Sequence, residues 1–224
     1  MSPHIHAPIY RDRHDAGRAL AERLGHLRTH PHLIVLALPR GGVPVAYQVA
    51  QALDAPLDVF LVRKLGVPGQ SELAMGAIAS GGTRVVNQPV IDWYRLPTSV
   101  LDSVARDEQA ELQRRERAYR GDQPPLQLRD HTVILVDDGL ATGSTMKAAV
   151  KAVRSQAPSR VIVAVPVGAP DTCRDLDALA DEVVCTCAPE DFSAVGTWYE
   201  DFSPTSDDEV RQLLTRGIRQ EASR

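Results

Sequence analysis

The sequence predicts an α/β fold in which a central parallel sheet is flanked by helices. Three observations lead there. Residues 33–38, 133–136 and 161–167 are apolar runs rich in β-branched side chains and without a polar break. Such runs mark strands buried on both faces of a parallel sheet. Stretches of helical periodicity, 43–53 and 146–153, follow the first two. Short turns of small residues join strand to helix in both places, Pro39-Arg40-Gly41-Gly42 and Ala141-Thr142-Gly143-Ser144-Thr145. A length of 224 residues allows one such domain with an appendage, and 43% hydrophobic residues suffice for its core.

Composition narrows the function classes. The net charge is −4 and the pI about 6.0, so no global basic field attracts nucleic acid. No apolar run is long enough to cross a bilayer, and no signal-peptide pattern is present. Cys173, Cys185 and Cys187 lack a metal-type spacing, which suits a reduced, cytoplasmic compartment.

Taken in order, the first ten residues read as a loose arm, and 15–24 as a helix with Ala16, Leu20 and Leu24 on one face. Strand 33–38, the Arg-Gly-Gly turn and helix 43–53 follow. Strand 59–62 leads into 63–72, read as a loop that opens on Arg63 and Lys64 and is punctuated by Gly and Pro. Residues 73–79 and 84–87 read as paired strands about a Ser-Gly-Gly-Thr turn. Residues 97–120 form a charged, largely exposed helix with Leu101, Ala105, Leu112 and Tyr119 on one face. Gly121 lies past its end, and Arg114, Arg115 and Arg117 form a solvated face. After strand 133–136 and helix 146–153 come strand 161–167, helix 171–179 and strand 182–187. An aromatic-rich stretch, 189–202, precedes a last helix that starts near Ser206 and runs to about 216.

The chemistry concentrates at 131–146. Asp137 and Asp138 sit where the strand ends. The loop after them lets backbone N–H groups converge, and the start of the next helix adds partial positive charge, which together make a phosphate site. The hydroxyls of Thr142, Ser144 and Thr145 add donors. No Lys follows Gly143, so this is not a P-loop, and G-x-G-x-x-G is absent from the turn. Two carboxylates would repel a lone phosphate. They suit a ligand that also offers hydroxyls or brings a divalent cation, and a sugar phosphate with a vicinal diol meets both conditions. In the first turn, Gly41 and Gly42 permit close backbone approach, and Arg40 presents a planar fork of donors for phosphate oxygens.

The run V-I-L-V-D-D-G-L-A-T-G-S-T, residues 133–145, closely resembles the 5-phosphoribosyl-1-diphosphate (PRPP) motif of the type I phosphoribosyltransferases. The resemblance extends in order over most of the chain. It implies one phosphoribosyltransferase domain over 1–224: a core of about 30–187, a small hood from the N-terminal arm and about 188–205, and the exposed helix 97–120 as an addition. It implies that Asp137 and Asp138 bind the ribose hydroxyls, and that Ala141, Thr142, Gly143, Ser144 and Thr145 hold the 5-phosphate. Arg40, Gly41 and Gly42 would contact pyrophosphate, with Arg63 and Lys64 at the start of a mobile catalytic loop. Phe192 would stack on a base, with Trp198 beside it; the other reading of this stretch is that its aromatics pack the C-terminal segment onto the core. Mg2+ would be held near Asp137 and Asp138, with Glu200 as a further ligand through water or ribose. Asp137, Asp138 and Lys64 would be the catalytic groups, and the partners PRPP and a nucleobase-like acceptor, with a homodimer as the candidate assembly.

The implied reaction transfers 5-phosphoribosyl from PRPP to a nitrogen nucleophile and releases pyrophosphate. Ala141 stands where 6-oxopurine members carry Asp, and agrees with the adenine-type pattern. The first loop and the long charged helix depart from an ordinary adenine enzyme. The alternative from another class is a non-catalytic regulator of this fold that binds PRPP or a nucleotide. A phosphohydrolase using the same loop lacks a nucleophile and general-base pair.

Overall fold

A computed structural model describes residues 8–221, apart from the side chains of residues 71, 72 and 218–221. Positions 1–7 of the expected arm therefore lie outside the described residues.

Helix α1 spans Arg13–Arg23, started by Asp12, whose carboxylate accepts from the Asp15 N–H at 2.7 Å. Strand β1, Leu33–Ala37, runs into α2, Gly42–Leu53. Strand β2 is short, Leu57–Val59. Then comes an excursion: β3, Val62–Val67, turns back into β4, Gln70–Ala79, followed by β5, Arg84–Val86, α3, Gln88–Tyr94, and the long α4, Thr98–Arg120. The chain returns through β6, Thr132–Val136, to α5, Ser144–Arg154, β7, Arg160–Val167, α6, Pro170–Asp177, and β8, Glu182–Cys187. Helix α7, Asp207–Glu221, ends the described chain.

The central sheet is parallel, in the order β2-β1-β6-β7-β8, with β6 and β7 almost wholly buried. Alternate residues feed two cores, as the period of two requires. Ile134 and Val136 pack with α1, α2 and α7, while Val133 and Leu135 pack with α5 and α6 on the other face. The expected architecture is therefore present.

Between β2 and β6, however, 63–72 is not a loop. Residues 62–67 and 70–79 form an antiparallel hairpin that turns at Pro68-Gly69, and β5 completes a three-stranded sheet. The two glycines read as loop punctuation serve other ends: Gly66 sits at a bulge in β3, and Gly69 takes a φ of 78° in the turn. Helix α3 is an addition to the expected elements.

Candidate active site

Strand order reverses between β1 and β6. The connection through α2 leads to one edge of the sheet, that through α5 to the other. Ligands of open α/β sheets bind in the crevice that such a reversal leaves at the carboxyl ends of the strands. Both Gly-rich turns end there. Leu38 N–H donates to the Val136 carbonyl at 2.8 Å, which fixes the first turn against the acid pair.

The contact is close enough to dictate glycine. A Cβ on Gly41 would lie 2.0 Å from Asp138 Oδ2, and one on Gly42 would lie 2.7 Å from the Val136 carbonyl oxygen and 2.9 Å from Asp137 Cα. Gly41 has an ordinary helical φ of −58°, so crowding rather than backbone conformation demands it.

The two acids differ sharply. Asp137 keeps some exposed surface, but its carboxyl is closely surrounded by protein and accepts the Asp138 N–H at 2.9 Å. Loss of solvent, then the neighbouring Asp138, push that carboxyl well above the ordinary carboxylate range. Asp138 instead meets Arg13 of α1, whose Nε donates to Oδ2 at 2.8 Å, with both side chains less than a fifth exposed. Arg13 also donates through Nη1 to the Ser203 carbonyl at 2.8 Å and lies 3.9 Å over the Phe202 ring. Tyr199 OH donates to the Asp138 carbonyl at 2.5 Å, and burial raises its phenol well above the usual range. Sequence reasoning missed Arg13 and Tyr199, since partners 125 and 61 residues away leave no local signal.

The loop 139–143 and the start of α5 follow directly. Gly143 takes a φ of 66°, and a Cβ there would lie 2.4 Å from Thr172 Cγ2. Thr172 at the start of α6 donates to the Ala141 carbonyl at 2.7 Å, so α6 braces the loop from below. Ala141, Thr142, Ser144 and Thr145 stay exposed, and Thr142 Oγ1 and Ser144 Oγ lie 3.2 Å apart. These hydroxyls and the first N–H groups of α5 suit an anion.

Other predicted residues are placed differently. Arg40 turns toward α7, its Nη1 3.7 Å from Asp207. The peptide between Pro39 and Arg40 is cis. Arg63 and Lys64, expected on one loop, are neighbours on β3 and leave on opposite faces of its sheet. Arg63 pairs with Glu108 of α4 at 2.6 Å, while Lys64 lines a cavity with Ser144 and Thr145. Trp198, expected beside a base, is 4% exposed and packs with Tyr10, Ala16 and Val167, so its ring faces are used by the core. Phe192 is half-buried at the rim of that cluster. Glu200 is exposed, its backbone N–H held by the Tyr10 carbonyl at 2.8 Å. Among the described residues, no three His, Cys, Asp or Glu converge on a point that could hold a metal by themselves.

The phosphoribosyl transferase domain model matches residues 11–201. The chain belongs to the phosphoribosyl transferase domain family. Two Mycobacterium tuberculosis proteins, of strains CDC 1551 and H37Rv and provisionally named phosphoribosyl transferases, are 47% identical over 211 residues. That match covers 94% of this phosphoribosyl transferase domain chain, which spans 47% of the length of each relative. The crystal structure of TT1426 from Thermus thermophilus is 42% identical and superposes with a TM-score of 0.83, covering 92% of this chain and 98% of that one.

Proposed function

We propose that the chain transfers the 5-phosphoribosyl group of PRPP to a nitrogenous base or related acceptor and releases pyrophosphate. The observation that carries this is the meeting of the Gly41-Gly42 turn with Asp137 and Asp138 at the sheet's reversal point, one loop away from the exposed hydroxyls of 142–145. A ribose held there reaches all three groups at once. The 5-phosphate takes the loop hydroxyls and the first N–H groups of α5, and the pyrophosphate lies against the backbone of 40–42.

The C1–O bond to pyrophosphate breaks, the acceptor nitrogen bonds to C1, and the acceptor gives up its proton. Positive charge builds on the sugar ring as the bond opens, and fixed carboxylates nearby stabilise it. The acids share this work. Each accepts from a ribose hydroxyl, Asp138 with the oxygen that Arg13 leaves open.

The donor set also suits Mg2+. Two carboxylates alone do not enclose a resident ion, but Mg2+ is commonly bound by one or two carboxylates with substrate phosphates and water. Asp137 and Asp138 would hold it with the substrate's oxygens, and it would neutralise the departing pyrophosphate. A cytoplasmic setting, where PRPP is available, accords with the reading, and no helix of the described residues is long and apolar enough to cross a membrane.

A second reading, a non-catalytic PRPP or nucleotide sensor, gains support from one observation. Arg63 is engaged by Glu108 and Lys64 faces α5, so the two cations expected over the leaving group stand apart. The test is calorimetry of PRPP with Mg2+, followed by pyrophosphate release across a panel of bases. Magnesium-dependent binding lost in Asp137→Asn/Asp138→Asn, with release for one base, is expected. Binding without release from any base selects the sensor, and no binding sinks both readings.

A further inference from the structure

The three-stranded sheet is held between two helices. Its outer face meets α4 through Arg63 and Leu65. Its inner face stands off from α5, and the gap is a cavity of about 490 Å3. That volume lies within the range of small-molecule sites, which run from about 300 to 1,000 Å3.

Its walls have a definite chemistry. From the sheet come Val62, Ala77 and Val85, an apolar floor, with Val86 at the rim 43% exposed. From α5 come Ser144, Lys147, Ala148 and Lys151, positions three and four apart that share one helical face. Lys64 joins from β3, and the amides of Asn87 and Gln88 close one end. None of the described side chains lining the cavity is acidic. Among the described residues, Asp175 on α6 reaches in from outside and pairs with Lys147 at 2.7 Å. Lys151, one turn further along the same face, keeps the α5 wall positive beside that pair.

The cavity is distinct from the ribose crevice. Neither Asp137, Asp138, Arg40 nor the paired glycines line it. The two regions share only Ser144 and Thr145, at the first turn of α5.

We infer that this cavity is a second ligand site, which takes a small organic anion with a flat apolar body. The body lies on Val62, Ala77 and Val85, and the anionic group points toward Lys151. Because Ser144 and Thr145 belong to both regions, such a ligand touches the phosphate loop from its outer side. The anionic group can be a phosphate ester or a carboxylate, since a lysine recognises charge and not a planar bidentate shape.

The test uses phenyl phosphate, benzoate and neutral benzamide as probes on the full chain. Titration is followed by methyl NMR, and ring-to-methyl NOEs locate the ring. Phenyl phosphate, benzoate or both are expected to bind at least tenfold more tightly than benzamide, with NOEs to Ala77 and Val85. The tighter of the two anions names the group. Lys151→Glu, on an exposed position, is expected to weaken that binding about tenfold and leave PRPP affinity unchanged. Ala148→Leu, which fills the cavity from the helix side, is expected to block it independently of charge. Equal binding of charged and neutral probes, indifference to Lys151→Glu, or NOEs confined to Thr142 would overturn the inference. The site stands or falls apart from the transferase reading: Asp137→Asn/Asp138→Asn abolishes PRPP binding without touching probe binding, and failure of PRPP to bind wild type leaves the probe result intact.

Discussion

Asp137 and Asp138 are consecutive in the chain yet lie in different surroundings, one with its carboxyl shut off from solvent and protonated to higher pH, the other paired with Arg13. That difference has a stability signature. As pH rises past about 3.8, the ordinary value, unfolded chains lose the Asp137 proton while folded chains keep it. Stability therefore falls from there up through the raised native value. Asp137→Asn removes the slope and keeps the oxygen that accepts the Asp138 N–H. Its unfolding midpoint is expected to match wild type near pH 4 and to exceed it increasingly as pH rises toward the raised native value. A gap constant across that range would refute the assignment. Arg13→Met strands a largely buried carboxylate and is expected to cost about 3–5 kcal/mol in urea unfolding at pH 7. The loss should shrink when Asp138→Asn is added. Gly41→Ala pushes a methyl onto Asp138. Misplacing a reacting group by about 1 Å costs on the order of 10²-fold in rate, so pyrophosphate release should fall by about that factor, and the thermal midpoint should fall as well because the methyl displaces Asp138 from Arg13.

At the scale of elements, the parallel strands and their helices were legible because each carries its own period. Residues 133–136 read as buried on both faces, and β6 is; 182–187 read as a strand, and β8 has those limits. The hairpin was not legible, because Gly66, Pro68 and Gly69 are loop signals wherever they occur, and only cross-strand pairing turned them into a bulge and a turn. Once 62–67 is a strand, alternation separates Arg63 from Lys64, which no loop reading could foresee. Of the candidate site, the acid pair and the loop of small residues after it were readable from local order. The supports of the acids were not, since Arg13, Tyr199 and Ser203 reach them from distant elements. The aromatic stretch 189–202 was ambiguous between packing and ligand, and burial assigns Trp198 to packing. Trp198→Ala is accordingly expected to cost about 3–5 kcal/mol of stability, the usual penalty for emptying such a site, and to leave PRPP affinity per folded molecule within about twofold.

For the whole molecule, the candidate site lies in a crevice between two half-sheets, one wound toward β2 and the other toward β8. Each half supplies one turn, so neither half alone builds the site. The acid pair is also tied to both flanks of the chain: Arg13 comes from the first helix, and the Ser203 carbonyl that steadies it lies 190 residues further on. Tyr10 pairs with Tyr199 beside them, and Asp201 N–H donates to the Arg11 carbonyl. During translation, then, the acids and both turns have been made long before their supports are complete. A ribosome-bound nascent chain stalled with 199–203 still in the exit tunnel can form its parallel strands yet holds Asp138 without the Tyr199 clasp. Competence to bind should therefore appear abruptly, once residues 199–203 have left the exit tunnel and the Tyr199 clasp can close.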